Sequence, residues 1–150
     1  MSRREQIKMA TDEVAAFLSA QRIVICATNG PHGWPHLMPL WYVMRADEIW
    51  GWTYAKSQKV RNLERDPRAT LQVEDGELYN ELRGVMIEAH ATIHRDIETV
   101  AGVGTELLGR HAGAGTVDDV VRAQAAKRVG LQFSPRRVAT WDHRKLGGAY

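Results

Sequence analysis

Residues 82 to about 94 alternate between apolar and polar side chains, and this period of two predicts a long β-strand. Shorter apolar runs also read as strands, because turns rich in Gly, Pro, Asn and Asp separate them. The strands follow one another mostly as hairpins, which indicates antiparallel pairing. These further strands are predicted at residues 22–28, 36–44, 49–54 and 69–74, with a last strand pair or bent strand at 130–143.

Apolar residues spaced three to four apart predict four helices. In the first, Thr11 would cap the N-terminus, and Phe17 and Leu18 would lie on the buried stripe. The third contains Gly102 and Gly104, which lower its helix propensity. The predicted helices cover residues 11–21, 57–66, 96–109 and 117–129, with a glycine-rich loop at 109–115.

Strands outnumber helices, and the helices do not alternate regularly with the strands. This order favours an α+β fold in which an antiparallel sheet or barrel carries its helices on the outside. A chain of 150 residues with 44% hydrophobic and 25% charged residues is ordinary for a globular protein. We therefore predict a single domain over residues 1–150.

Charge and cysteine content narrow the function classes. The net charge of +2, from 20 basic and 18 acidic residues, argues against wholesale nucleic-acid binding, which needs a strongly basic face. The single cysteine, Cys26, lies in an apolar strand and is expected to be a buried core residue. The N-terminus has no apolar signal region, and no stretch reaches the roughly 18 apolar residues of a membrane span. We expect a cytoplasmic protein with no membrane partner.

The strand predicted at residues 36–44 is apolar on both faces, so both faces need a cover. One can fill the barrel, and the other needs a ligand, a helix or a second subunit. Pro39 inside this strand indicates a sheet edge or a bulge, because proline has no N–H for the ladder. Most of the tryptophans lie in or beside this region, as expected of a core, a pocket or an interface: Trp34, Trp41, Trp50 and Trp52.

The helix predicted at residues 57–66 has its charges reversed. Helix N-termini attract acids, yet Lys59 and Arg61 occupy the first turn and Lys56 precedes it. With Ser57 as N-cap and Thr53 nearby, this end suits an anion, most often a phosphate. The alternative is that these charges are only solvated. Beside aromatic strands, an anion site fits a planar ring with a phosphate tail, as in a flavin-type cofactor.

Glu88, His90 and His94 share one face of the long strand, and His with carboxylate is a common zinc ligand set. Residues four apart on a strand are about 13 Å apart, too far for one metal ion without bending. A solvated outer face is therefore the preferred interpretation, and no metal site is predicted.

Three segments together resemble a known superfamily: "ATNGPHGWPHLMPLWYV", "IWGWTYAKSQKVRNLERDPRATLQVEDG" and "LRGVMIEAHATI". The turn followed by P-x-x-x-P-x-W, and then T-x-x-x-S-x-K-x-R-N-L-x-R-D-P, are similar to the pyridoxamine 5′-phosphate oxidase-like split β-barrel superfamily. The chain looks most like its actinobacterial branch of oxidoreductases that use a flavin or the deazaflavin coenzyme F420. The resemblance extends from residue 11 to residue 146.

The resemblance implies an antiparallel split β-barrel of the FMN-binding type with peripheral helices, in a homodimer whose cofactor lies between subunits. Residues 38–41 would line the ring, largely through backbone groups. Thr53 and Ser57 would place hydroxyls near the phosphate, Lys59 would bind it, and Lys56 and Asn62 would lie beside it. The complete set carried over is Met38, Pro39, Leu40, Trp41, Thr53, Lys56, Ser57, Lys59 and Asn62.

Two departures from the superfamily pattern bear on the cofactor. Pyridoxamine phosphate oxidases proper carry an arginine where Met38 stands, and "WDHRKL" does not match their substrate motif. Pyridoxamine phosphate oxidation is therefore not expected, and coenzyme F420 is favoured over FMN. The deazaflavin's polyglutamate tail also needs a basic groove, for which the candidates are Arg61, Arg65, Arg68, Arg136 and Arg137.

We predict an oxidoreductase that transfers a hydride between the deazaflavin and a planar unsaturated small molecule. The cofactor supplies such chemistry, so no catalytic triad is expected. Tyr42, Tyr79 and His36 are proton-donor candidates by residue type alone. The alternatives are an FMN-dependent oxidoreductase, a non-catalytic protein that binds a flavin, deazaflavin or tetrapyrrole, and, as the weakest, a single-stranded nucleic-acid binder that stacks bases on tryptophans.

Overall fold

The computed structural model describes residues 1–112 and 118–148. Their strands form one antiparallel sheet in the order β2-β1-β5-β6-β7-β4-β3, so that β2 and β3 are its two ends. The curled sheet is that of a split β-barrel, and the predicted α+β fold is confirmed. The strands are β1 (Ile23–Asn29), β2 (Pro35–Trp41), β3 (Val43–Arg45), β4 (Glu48–Tyr54), β5 (Arg68–Asp75), β6 (Arg83–His94) and β7 (Arg128–Asp142).

Helices lie outside the sheet and across its ends. Each predicted helix is present, although two of the boundaries differ from expectation. The helices are α1 (Arg3–Gln6), α2 (Thr11–Ala20), α3 (Gln58–Arg65), α4 (Ile97–Ala112) and α5 (Asp118–Ala125), with short 3₁₀ turns at Tyr79–Glu81 and His143–Leu146. In the described part of the chain, no helix is both long and apolar enough to cross a bilayer.

The main core lies on the inner face of the sheet. The alternation read from β6 is confirmed, because Val85, Ile87 and Ala89 are buried while Glu88 and His90 are exposed. The two helices that contribute to this core do so through predicted residues: Phe17 and Leu18 from α2, and Val60 and Leu63 from α3. Cys26 is also buried here, as predicted.

The other face of β4 is covered by α4 and α5. Trp50 packs with Val103 and Leu107 of α4, and Trp52 lies between this cluster and the contact of α4 with α5. Two of the tryptophans that the sequence placed on one face therefore serve as core under helices.

The residues predicted as a final strand pair form one long bent strand. β7 pairs with β4 on one side and with β6 on the other. Opposite Glu88 and Ala89, the register jumps from Arg137 to Pro135, which leaves Arg136 as an extra residue in a β-bulge. The bulge bends β7 and sends Arg136 and Arg137 toward different pockets.

Four local predictions were wrong. Thr11 does not cap α2, because Ala10 holds the N-cap position and its N–H donates to the Glu13 carboxylate at 2.6 Å. The strand predicted at residues 36–44 breaks at Tyr42, between β2 and β3. The last helix ends at Ala125 rather than at residue 129, which already belongs to β7. Residues 109–112 of the predicted loop are helical, and 113–115 lie outside the described residues.

Candidate functional site

The end strand β2 lies beside β4, next to the residues of β4 that follow its pairing with β3. The two strands do not pair, although the Trp41 carbonyl oxygen points at Gly51, where an added Cβ would lie only 3.2 Å from it. Outward-facing backbone groups alternate along an edge strand, so those of Pro39 face the same opening. The prediction that Pro39 marks an edge is therefore confirmed, and its missing N–H removes no ladder bond. We call this opening, bordered by residues 37–41 of β2 and residues 51–53 of β4, the β2–β4 cleft.

Antiparallel partners share a face of the sheet, so the register of β2 assigns its side chains. Met38 is paired with Cys26 and Leu40 with Val24, and both therefore belong to the inner face. Trp41 is paired with Ile23 and belongs to the outer face. Of the four predicted ring-lining residues, Met38 and Leu40 can offer side chains to the interior of the cleft, whereas Pro39 and Trp41 can offer backbone groups to its edge.

The indole of Trp41 is engaged elsewhere. It stacks on the imidazole of His111, with ring centroids 4.7 Å apart and planes 2° apart. His111 Nε2 donates to the Tyr42 carbonyl oxygen at 3.2 Å, and Arg110 donates to the same oxygen at 2.8 Å. Burial lowers the pKa of His111, which favours the neutral ring. The end of α4 thus fixes the end of β2.

α3 begins shortly after β4 ends, and its predicted N-terminal cap is confirmed. Ser57 Oγ accepts from the Val60 N–H at 3.4 Å, and the Ser57 N–H donates to the Tyr54 carbonyl oxygen at 3.0 Å. No acid lies in the first turn. Thr53 is half-buried on the face of β4 opposite Trp52, toward the inner side of the sheet.

Lys59 is the most informative residue of the site. Only 5% of its surface is exposed, although it is a lysine in the first turn of a helix. It forms neither a hydrogen bond nor an ion pair with any residue that the structure describes. Burial lowers its pKa, and Lys59 is close enough to Cys26 for the two groups to influence one another electrostatically. The solvated-charge alternative is therefore wrong for Lys59, whereas Lys56 and Arg61 are exposed as that alternative expects.

Asn62 has an internal role. It is fully buried, its amide donates to Thr28 Oγ1 at 3.0 Å, and its carbonyl oxygen accepts from Gln58 at 2.8 Å. The bond to Thr28 fastens α3 to β1 one turn beyond Lys59, and the bond from Gln58 lies within α3 and orients the amide. Asn62 therefore helps to fix the helix that carries Lys59, and its own amide is already hydrogen-bonded within the protein.

The three proton-donor candidates occupy very different places. The Tyr42 hydroxyl donates to the Leu18 carbonyl oxygen at 2.6 Å, and burial raises the pKa of Tyr42 to about 12. Tyr79 lies in the turn between β5 and β6, in contact with His143. His36 is paired with Thr28 on the inner face of β2, and its Nδ1 is buried without a hydrogen-bond partner among the described residues. His36 and Tyr42 directly flank the β2 residues that border the cleft, and the Tyr42 hydroxyl is already bonded to Leu18.

The five arginines suggested for a basic groove do not converge. Arg65 donates to the Asn29 carbonyl oxygen, and Arg68 pairs with Asp66 at 2.8 Å, which lowers the pKa of that carboxyl. Arg68 and Arg136 line one pocket of about 450 Å³, whereas Arg137 lines a separate groove. Arg61 lines neither.

The face considered for a metal is occupied by other contacts. Glu88 lies 3.5 Å from Arg137, and His94 hydrogen-bonds Gln132 at 2.9 Å while stacking on Trp50. Within residues 1–112 and 118–148, no group of three His, Cys, Asp or Glu side chains is arranged to hold a metal ion.

Two contacts of the site escape sequence reasoning. Thr28 lies 34 residues from Asn62, and His111 lies 70 residues from Trp41. Thr28 lies in a segment that carries the resemblance, but nothing there pairs it with Asn62, and His111 lies in none of those segments. The packing of α3 on β1 and the length of α4 create the two contacts.

The outer face of β1 and β2 remains open. Its exposed apolar side chains include Ile23, Leu37 and Trp41, and Trp34 stands almost fully exposed at the hairpin tip. Such a contiguous patch is typical of an interaction surface.

Comparisons with known proteins agree on the fold. The family described as pyridoxamine 5′-phosphate oxidase matches residues 10–142. The crystal structure of the conserved hypothetical protein Rv2991 from Mycobacterium tuberculosis is 41% identical, with a TM-score of 0.91 over 100% of this chain and 95% of that one. No curated protein matches the chain.

Two more distant structures share the fold alone. An F420 reductase is 21% identical, with a TM-score of 0.71 over 87% of this chain and 98% of that one. A FAD-binding protein from Mesorhizobium loti is 17% identical, with a TM-score of 0.69 over 88% of this chain and 94% of that one.

Proposed function

The chain belongs to the pyridoxamine 5′-phosphate oxidase family, and on this basis we propose that it is an oxidoreductase that binds the deazaflavin coenzyme F420 in the β2–β4 cleft. The observation that carries the proposal is the buried, unpaired Lys59 beside the N-terminus of α3. A buried ammonium group is unfavourable unless a negative charge accompanies it. Within the described residues no carboxylate forms an ion pair with Lys59. The phosphate of a bound cofactor would supply the missing negative charge.

The residues around Lys59 fit a phosphate. The first turn of α3 offers free N–H groups and the positive end of the helix dipole. Ser57 and Thr53 add hydroxyls, and the bond from Asn62 to Thr28 holds the helix against β1. The lysine and the helix end are thus fixed in the apo protein, so little conformational entropy is lost when a phosphate binds.

The charge of this pocket favours the deazaflavin over FMN. Coenzyme F420 carries its phosphate as a diester with one negative charge, whereas a monoester carries about −1.5 to −2 at pH 7. Lys59 provides one charge, and a helix N-terminus provides about half of another. Met38 on β2, the cross-strand partner of Cys26, contributes no charge at a position where FMN-binding relatives are expected to have arginine.

The ring would lie along the open edge of β2. When bound, the deazaflavin supplies hydride transfer, and the protein supplies position and exclusion of water. Backbone groups at Pro39 and Trp41 border that edge, and Met38 and Leu40 provide apolar contact from the inner face. His36 precedes these residues on β2, and its buried Nδ1 has no hydrogen-bond partner among the described residues.

The proposal includes a homodimer, in which a second copy of the chain covers the outer side of the cleft. The exposed patch formed by Ile23 of β1 and by Leu37 and Trp41 of β2 adjoins the cleft, because Leu37 and Trp41 also border it. A homodimer that buries this patch would also close the outer side of the cleft and exclude water from the ring.

Titration with both cofactors tests the function. Purified protein is mixed with F420 and, separately, with FMN, and binding is followed by fluorescence quenching. We expect F420 to bind more tightly, and reduced F420 to be oxidised by planar unsaturated acceptors. At least tenfold tighter FMN binding would reassign the protein as an FMN-dependent oxidoreductase. Tight binding without turnover of any acceptor would instead favour a cofactor-carrying protein.

A further inference from the structure

A second cavity has a lining that does not include Lys59. It is a groove of about 700 Å³ between the N-terminal segment with α2 on one side and the β3–β4 hairpin on the other. β6 and β7 form its floor at the bulge, and none of its described lining residues borders the β2–β4 cleft. We call it the α2 groove. Its volume lies within the range typical of small-molecule sites.

The floor of the α2 groove is apolar and accessible. Ile87 and Val138 are cross-strand partners on the inner face, yet Ile87 is 5% exposed and Val138 is 49% exposed. The bulge at Arg136 bends β7 here, and α2 does not close over Val138. Inner-face side chains that would normally be core therefore line an open cavity, and its large apolar lining residues include Met9, Val14, Leu18, Met44, Ile87 and Val138.

The rim of the groove is basic. Arg4, Lys8 and Arg137 line it, and Asp47 is the single acid among the described lining residues. Arg4 and Lys8 form no ion pair with any described residue. Arg137 approaches Glu88 only at 3.5 Å, with both side chains largely in solvent, which is a weak interaction. The lining therefore carries three basic side chains against one acid, and Glu5 near Lys8 and Glu88 near Arg137 offset this charge only in part.

We propose that the α2 groove binds a free amphipathic carboxylate, with its apolar chain on the Val138 floor and its acidic head at the Arg4, Lys8 and Arg137 rim. An apolar floor alone would accept any hydrophobic molecule, and a basic rim alone would accept any anion. Both together select one class, because the apolar part leaves water while the carboxylate keeps a charged partner. The proposal does not depend on the cofactor assignment.

Calorimetric titration with decanoate tests this site. The wild type should bind one decanoate per chain, and decanol, which has no charge, should bind at least tenfold more weakly. Val138→Trp should reduce decanoate affinity at least tenfold by filling the floor. Lys8→Glu should weaken binding severalfold, and added salt should weaken wild-type binding.

Val120→Trp is the matched control. Val120 is also 49% exposed, but it lies on α5 and is not among the residues that line the groove. It should leave decanoate affinity unchanged, and melting temperature should confirm that both tryptophan variants fold. Equal decanoate affinity in Val138→Trp and wild type would overturn the proposal, and so would equal affinity for decanol and decanoate.

Two other outcomes also contradict the proposal. If the wild type binds vesicles containing phosphatidylglycerol but not decanoate, the rim recognises a lipid surface. If it binds no decanoate and Val138→Trp changes the molar mass in light scattering, the groove is a contact between copies of the chain.

Discussion

The indole of Trp52 in β4 lies directly against Gly104 in α4. An ideal Cβ at residue 104 would lie 2.9 Å or less from three atoms of the ring, so only glycine allows this approach without movement. The sequence alone suggests that Gly104 merely weakens α4. The contact shows why a glycine in this helix stabilises the fold, since it lets the helix close over the tryptophan.

Gly104→Ala should therefore destabilise the protein, although alanine is the better helix former. Overpacking of a core contact costs about 1–3 kcal/mol, more than the roughly 1 kcal/mol gained in helix propensity. Gly109→Ala is the control on the same helix, because an added Cβ there meets no described atom within 4 Å. It should raise stability by up to about 1 kcal/mol. Urea denaturation measures the free energy of unfolding of both variants. If both variants are more stable than the wild type, Trp52 can move to accept the added methyl group, and the prediction is wrong.

The sequence predicts those parts of this fold that depend on local periodicity. The alternation in β6 and the Ser57 cap of α3 are each complete within a dozen residues, and both predictions are confirmed. The cap of α2 was misplaced by one position, because Glu13 serves the Ala10 N–H and a threonine in the first turn looks the same as a threonine cap.

The site was less predictable than the strands. The burial of Lys59 depends on how α3 lies against β1, and Thr28 and Asn62 fix that orientation across 34 residues. Periodicity carries no information on such pairs. The sequence could place a lysine in the first turn of a helix, but it could not distinguish a buried ammonium from a solvated one.

Lys59→Met should separate the two interpretations of this residue. Removal of a charge-assisted contact worth about 1.5–3 kcal/mol lowers cofactor affinity roughly ten- to hundredfold. The apo protein should become more stable, because methionine fills similar space without a buried charge. Fluorescence titration and thermal melting measure the two effects.

Lys127→Met is the control for Lys59→Met. The Lys127 carbonyl oxygen accepts from the Ala55 N–H just before α3, but its side chain is exposed. The control variant carries the same loss of charge nearby without loss of a buried group. Equal cofactor affinities in the two variants would exclude a phosphate contact at Lys59, and collapse of the apo fold in Lys59→Met would make the lysine structural.

The lowered pKa of Lys59 predicts a pH effect of definite sign. Between this lowered pKa and the ordinary value of 10.5, the unfolded chain binds a proton that the folded chain does not, so rising pH favours folding. The stability advantage of Lys59→Met should be largest below the lowered pKa and vanish as pH approaches 10.5. Denaturation at several pH values measures it, in a Cys26→Ala background because Cys26, with a pKa raised to about 11, titrates in the same range. An advantage independent of pH would contradict the prediction.

The exposed patch on β1 and β2 predicts a homodimer. Leu37→Glu would place an unpaired charge in the proposed apolar interface and should raise the dimer dissociation constant about tenfold or more. Val120→Glu, an exposed position on α5, is the control and should leave the dimer intact. Light scattering across a dilution series measures the molar mass, and hence the dimer dissociation constant, of the wild type and both variants. A wild-type chain that stays monomeric at micromolar concentration would refute the dimer and with it a cleft closed by a second subunit.

Met38→Arg should turn the cleft toward FMN. Met38 is paired with Cys26, which interacts with Lys59, so an arginine there can bring a second charge to the same phosphate. The doubly charged monoester of FMN should gain about tenfold or more in affinity, as expected for one charge-assisted hydrogen bond. The singly charged diester of F420 should gain less, because Lys59 and the helix end already balance its charge.

Met38→Gln is the control, since it adds polarity at the same position without charge, and it should leave the preference for F420 over FMN as it is. Met38→Lys should fall between the two, because an ammonium lacks the bidentate geometry of arginine. Fluorescence titration of both cofactors against the three variants gives the comparison. An equal gain for F420 and FMN in Met38→Arg would mean that general electrostatic attraction, and not the charge state of the phosphate, sets the cofactor preference.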